Sequence, residues 1–234
     1  SVAGRGMVGT ETGVRAKLLN IDRDLLLIPN VAIHMNRGVN DGYKWNPAVD
    51  MLPLLGGKNA KGKLQKLLEK AAGGKILGHD LFLYCRQKGT LVGCDGKMML
   101  SPKLDDLECA WSLMQGFLAA EEGESLPVCC VFDNEEVGSG SVQGAASMLL
   151  PDVLERICQA LDLNMKQMLA QSFMISADNA HAVHPNHPEK YHADNRVFMN
   201  EGVVIKHNAN QKYTTDAVSC AIFETICKSA GVPV

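Results

Sequence analysis

The chain has 234 residues, enough to bury a sizeable core and to hold one large domain or two small ones. A hydrophobic fraction of 46% and a charged fraction of 21%, with a mean hydropathy of −0.03, are those of a soluble globular protein. The formal charge of −3 is no polyelectrolyte signature, which argues against nucleic acid and an anionic membrane surface as partners.

Residues 1 to about 35 alternate in the manner of strands, and Gly6 to Leu19 reads as a hairpin turning at Thr12-Gly13. Leu25 to His34 continues as a buried strand interrupted at Pro29, and Pro29-Asn30 also keeps its apolar run far below the roughly 18 residues of a membrane span. Asn40 to Lys61 is turn-rich. Lys58, Lys61, Lys63, Lys66 and Lys70 interleave with Leu64, Leu67 and Leu68, the pattern of an amphipathic helix with a solvated lysine face. Strands are expected around Asp80 to Arg86 and Thr90 to Val92, with a turn at Lys88-Gly89 between them. From about Met98 the order becomes helix, strand, helix, helix, strand, and finally strand Val203 to His207 with a closing helix over Thr214 to Ala230. The fold class is therefore α/β, with a β-rich domain over residues 1–88 and an α/β domain over 89–234. Most of the eight cysteines fall inside apolar periodic segments rather than in C-x-x-C pairs, so they read as reduced thiols of a reducing compartment. No secretory h-region opens the chain, and a cytoplasmic protein is expected.

Three segments carry the chemistry. Asp133-Asn134-Glu135-Glu136 places three carboxylates in four residues directly after the strand-like run Leu126 to Phe132. Like charges about 4 Å apart repel by roughly 4 kcal/mol at an effective dielectric near 20. Solvation, a shared proton or a cation can offset that repulsion. A helix is expected to follow over Gln143 to Leu150, capped by Ser139 or Ser141, which would put the cluster on a strand-to-helix turn where open α/β sheets place ligand sites. An ordinary charged turn is the alternative. Ser172 to Ala177 is a second strand-like run, ending in Asp178, His181 and His184. The third segment sets Asp105 and Asp106 just ahead of a helical pattern from Leu107 to Ala120, where they could also be simple N-terminal helix charges. Carboxylates and imidazoles spread over several strand ends suit a divalent metal held by oxygen and nitrogen donors.

Seven segments, collinear over nearly the whole chain, resemble the aspartyl aminopeptidase family of dinuclear-zinc exopeptidases. They are Asn20 to Asp24, Ile28 to His34, Ser101 to Asp105, Asp133 to Ser139, Ser172 to Asp178, His181 to Asn186 and Lys206 to Tyr213. The resemblance implies a zinc-exopeptidase-like catalytic domain, a mixed sheet with flanking helices, into which a β-rich dimerisation domain is inserted. It implies removal of N-terminal acidic residues, Asp or Glu, from peptides by two zinc ions per complete subunit, with other divalent metals able to substitute. By that resemblance Asp105 bridges the metals, Glu136 and Asp178 are ligands to one metal each, and Glu135 is the general base toward the metal-activated water. Lys206 matches the cation that pairs with the acidic side chain of the substrate, where a strand-end lysine is the plainer alternative. His34 matches a histidine that reaches a neighbouring subunit's active site, where a core histidine is the plainer alternative. His181 and His184 are expected to line the substrate pocket. The family assembles as dimers that build a dodecamer.

The family's two histidine ligands fall upstream of residue 1 and downstream of Val234. The chain is therefore expected to be the middle part of a longer protein, inactive by itself. A non-catalytic assembly module and a related metal-dependent deacylase are the other functions compatible with this pattern.

Overall fold

The computed structural model describes residues 1–234, which divide into two compact units, Ser1–Pro102 and Lys103–Val234. The first is built on an antiparallel hairpin. β1 (Val2–Thr10) and β2 (Gly13–Ile21) pair from Val2 opposite Ile21 to Thr10 opposite Gly13, leaving Glu11-Thr12 as a two-residue turn. β3 (Ile76–Leu83) adds antiparallel to the other edge of β1, so the strand order is β2-β1-β3. The expected lysine-faced helix is α1 (Lys63–Ala72). It ends at Gly73, whose left-handed backbone (φ 72°) a glycine adopts without steric cost.

Alternation along the strands explains how α1 is held. Leu19, Ile76, Leu68 and Ala72 form the buried cluster, with Val8, Ile21, Leu64 and Leu81 packed against it. Leu68 is 1% exposed, and burying such a side chain contributes about 1.5–3 kcal/mol. The opposite face of the sheet carries Val14, Leu18 and Phe82, all largely exposed. Beyond the strand ends Arg86 donates from Nε to Asp22 (2.8 Å) and pairs with Asp24, while the Tyr84 hydroxyl donates to Asn20 Oδ1 (2.7 Å). The Asn20 to Asp24 motif is thus a clamp on β3, and the Arg86 guanidinium holds the Asp22 carboxyl below the usual carboxylate range.

Other expectations for this unit change. Leu25 to His34 is not a buried strand: only Leu27 bridges Leu54, and Ile33–Met35 forms a 3-10 turn. With a single bridge, the run has no ladder to bury it. β4 (Thr90–Val92) pairs with β5 (Met98–Leu100) and not with β3. All eight cysteines are unpaired thiols, of which only Cys158 and Cys227 are buried.

The second unit holds α2 (Leu104–Ala119), α3 (Leu149–Ala160), α4 (Met165–Ala170) and α5 (Ala217–Ala230), with a short turn between α3 and α4 and long irregular segments between the others. The helix expected over Gln143 to Leu150 begins only at Leu149, because residues 139–147 are taken up by turns. Leu126 to Phe132, Ser172 to Ala177 and Val203 to His207 join no strand ladder. Apolar composition alone does not make a strand, which needs a neighbour for its N–H and C=O groups. No helix is long and apolar enough to cross a membrane.

α5 starts with a capping box: the Ser219 backbone N–H donates to Asp216 Oδ1 (2.8 Å), and the Asp216 N–H donates to Ser219 Oγ (2.9 Å). The bond from the Ser219 N–H holds the Asp216 carboxyl below its ordinary value. A carboxyl depressed in the folded state stabilises above its unfolded value, near pH 4, and loses that contribution as pH falls through the folded value. Asp216→Ala is therefore expected to lower the unfolding midpoint at neutral pH, with the gap to wild type closing as pH falls below the unfolded value near 4 and through the lower folded one. A gap of constant size across a denaturation series from neutral to acid would contradict a charge-dependent cap.

Candidate metal centre

α2 opens unusually. Asp105 (φ −83°, ψ 110°) and Asp106 (φ −126°, ψ 42°) are not helical, the peptide between them is cis, and regular turns follow from Leu107. They are thus not ordinary first-turn helix charges. Asp178 follows the irregular run Ser172 to Ala177. Oxygens of Asp105, Asp106 and Asp178 all lie within 4.8 Å of one another. Residues far apart in the chain therefore bring three carboxylates to one point, two of them foreseen as ligands and the third, Asp106, not.

Lys206 is the cation at this point. Its ammonium donates to Asp178 Oδ2 (2.6 Å) and to the Asn179 carbonyl (2.9 Å). Three carboxylates and one ammonium leave two formal negative charges. Asp106 Oδ1 is buried without a hydrogen-bond partner. Buried carboxylate oxygens ordinarily have a donor or a cation. An all-oxygen set with an unsatisfied lone pair fits a divalent cation, and these residues can hold one.

Asn179 and Cys109 complete the surroundings. The Cys109 thiol donates to Asn179 Oδ1 (2.8 Å), and Asn179 Nδ2 donates to the Leu104 carbonyl and to Glu108 Oε2 (3.4 Å each). Burial, followed by the neighbouring Asp106 carboxylate and the charges of Glu108 and Asp178, pushes the Cys109 thiol up to about 12. It is a neutral donor there, not a thiolate.

The other foreseen residues stand apart from this group. Glu135 and Glu136 are exposed on a turn in which the Gly138 N–H donates to the Asn134 carbonyl (2.7 Å), with Asn134 left-handed (φ 65°). Asn134 Nδ2 donates to Ser141 and Gln143 (3.2 Å each), closing the loop on itself. Gly144 is required in this loop, since a Cβ there would stand 2.3 Å from the Ser139 carbonyl oxygen. His181 is exposed, and His184 Nδ1 accepts from the Asn186 N–H (3.2 Å) with its ring 5.2 Å from that of His187. His34, in the first unit, is exposed on the Ile33–Met35 turn, so it is not a core histidine.

Asn179 and Cys109 escaped sequence reasoning, and Asp106, singled out together with Asp105, was not assigned as a ligand. An Asp-Asp pair ahead of a helix looks like dipole compensation. An asparagine beside an expected ligand and a cysteine one turn into α2 carry no distinguishing pattern.

Comparison with known proteins bears on this geometry. Residues 1–234 match the family described as Aminopeptidase I zinc metalloprotease (M18). The chain is 43% identical to a protein named Probable M18 family aminopeptidase 2 from Clostridium acetobutylicum, with all of this chain and 57% of that protein aligned. It is 36% identical to Aspartyl aminopeptidase 1 of Schizosaccharomyces pombe, over 100% of this chain and 56% of that one. A cryo-EM structure of the Ape4 and Nbr1 complex superposes with a TM-score of 0.86 at 35% identity, over 100% of this chain and 50% of that chain. The chain spans little more than half the length of the curated relatives it matches. Since the family match runs over every residue, the chain belongs to the M18 zinc metalloprotease family.

Proposed function

We propose that this chain carries the central part of a metal-dependent aminopeptidase that removes N-terminal Asp or Glu from peptides. The observation that carries the proposal is the meeting of Asp105, Asp106 and Asp178 beside Lys206. Membership of a zinc metalloprotease family and the name of the fission yeast relative support the same reading. Asp105 and Asp178 would hold zinc, two ions per complete subunit, and Glu136, which stands on a separate turn here, would have to join them in the intact protein. When bound, zinc supplies Lewis acidity and lowers the pKa of a water ligand toward neutrality.

The chain's own residues do the rest. Glu135 accepts the proton of the attacking water and returns it to the leaving amine. Lys206, the cation at the carboxylate group, receives the acidic side chain of the substrate, a charge-assisted hydrogen bond that a neutral residue cannot make. His181 and His184 line the approach of the peptide. Residues 1–88 supply subunit contacts in a homo-oligomer of dimers, a dodecamer in its full form. The uncovered sheet face with Val14, Leu18 and Phe82 supports that role. His34 would then act in a neighbouring subunit's site, for which its exposure is a precondition. The thiol chemistry suits a cytoplasmic setting.

In the intact protein, Glu135→Gln is expected to lower hydrolysis of Asp- and Glu-peptides by roughly 10²–10⁴-fold with zinc content unchanged. Activity retained in Glu135→Gln would remove that residue from the base role, and wild type indifferent to chelation would remove the metal. Lys206→Ala should cut the preference for acidic over neutral N-termini by about tenfold or more, the scale of one hydrogen bond to a charged group. An unchanged ratio of kcat/KM values would exclude Lys206 from specificity. Mixing inactive His34→Ala subunits with inactive Glu135→Gln subunits should restore part of the activity, and no recovery after confirmed co-assembly would refute a shared site.

A further inference from the structure

The run Ser172 to Asp178 is held by no strand ladder, and residues 173–182 exchange no backbone-to-backbone hydrogen bond. Asp178 is nevertheless brought to within 4.8 Å of the carboxylates at the start of α2. The next residue supplies the tie. Asn179 accepts from the Cys109 thiol (2.8 Å) and donates to the Leu104 carbonyl and Glu108 (3.4 Å each), so its amide engages the first turns of α2 at three points. Cys109 lies in the regular turns of α2 that follow the two aspartates directly.

We propose that Asn179 and Cys109 are a positioning pair, which sets Asp178 against Asp105 and Asp106 and thereby sets the affinity of the three carboxylates for a divalent cation. This rests on the metal reading above. The pair touches no reacting atom. It works as outer hydrogen-bond partners of metal ligands do, by fixing where a ligand carboxylate stands. An amide suits the position because it both accepts from the thiol and donates to Glu108 and the Leu104 carbonyl, which a carboxylate could not do.

The test compares Cys109→Ala, Cys109→Ser and Asn179→Ala with wild type in the intact protein. Zinc affinity is read by competition with a chromophoric chelator, and thermal stability is measured without zinc. Cys109→Ala should weaken zinc binding about tenfold, and Asn179→Ala at least as much. Cys109→Ser should stay within about twofold of wild type, because a hydroxyl donates to the same Asn179 oxygen. Zinc-free stability of the cysteine variants should match wild type. Should Asn179→Ala fail to fold, the Ala and Ser variants of Cys109 decide the matter. Equal zinc affinity in wild type and Cys109→Ala, or equal loss in Cys109→Ala and Cys109→Ser, would overturn the positioning pair while leaving the metal reading intact. A wild type that binds no zinc would overturn the metal reading itself.

Discussion

Mutual repulsion among Asp105, Asp106 and Asp178 is the constraint on which the second unit depends. At 4.8 Å a pair of unit charges repels by about 3.5 kcal/mol at an effective dielectric near 20 and by more when closer, less what solvent screens at the exposed Asp105 and Asp178. Lys206 offsets part of this through its bond to Asp178, and the buried, unpartnered oxygen of Asp106 marks what it leaves over. A chain does not gather such charges by apolar packing, and here apolar packing is sparse: only Cys158 and Cys227 are buried hydrophobic residues of this unit. Placement comes from polar ties instead. The non-helical opening of α2 presents two of the carboxylates, and the side chains of Asn179, Cys109 and Lys206 fasten the third.

The first unit follows a different logic. Its three strands and α1 are held by a small apolar cluster around Leu68, and charge serves only to finish the edges, as Arg86 does between Asp22 and Asp24. One sheet face is covered by a helix and the other is bare, with Leu18 90% exposed. A sheet made this way offers an apolar surface to a further protein element, which agrees with a role in subunit contact.

Much of this was legible from residue order. The hairpin of β1 and β2, the helix α1, most of α2 and the closing α5 follow from local periodicity and caps, which act within a few residues. Asp105 and Asp178 were legible as partners because both stand at the edges of patterned segments in a collinear set of motifs. The runs Leu126 to Phe132, Ser172 to Ala177 and Val203 to His207 read as strands because they are apolar and short, but whether they join a ladder depends on neighbours that local sequence does not name. Glu135 and Glu136 are adjacent to each other in sequence, yet their loop closes on itself through Asn134 and holds them outside the group that Asp105, Asp106 and Asp178 form.

The sequence by itself determined the family, through its collinear motifs, and the helices whose capping and periodicity are local. Only the tertiary structure decided that Asp106 joins the carboxylates, that Lys206 is spent on Asp178, and that Asn179 and Cys109 stand between the two segments. Those facts depend on contacts between residues distant in the chain, 28 apart for Lys206 with Asp178 and 70 for Cys109 with Asn179. The strength of an ionic or hydrogen-bonded contact depends on distance in space, and separation along the chain does not encode that distance.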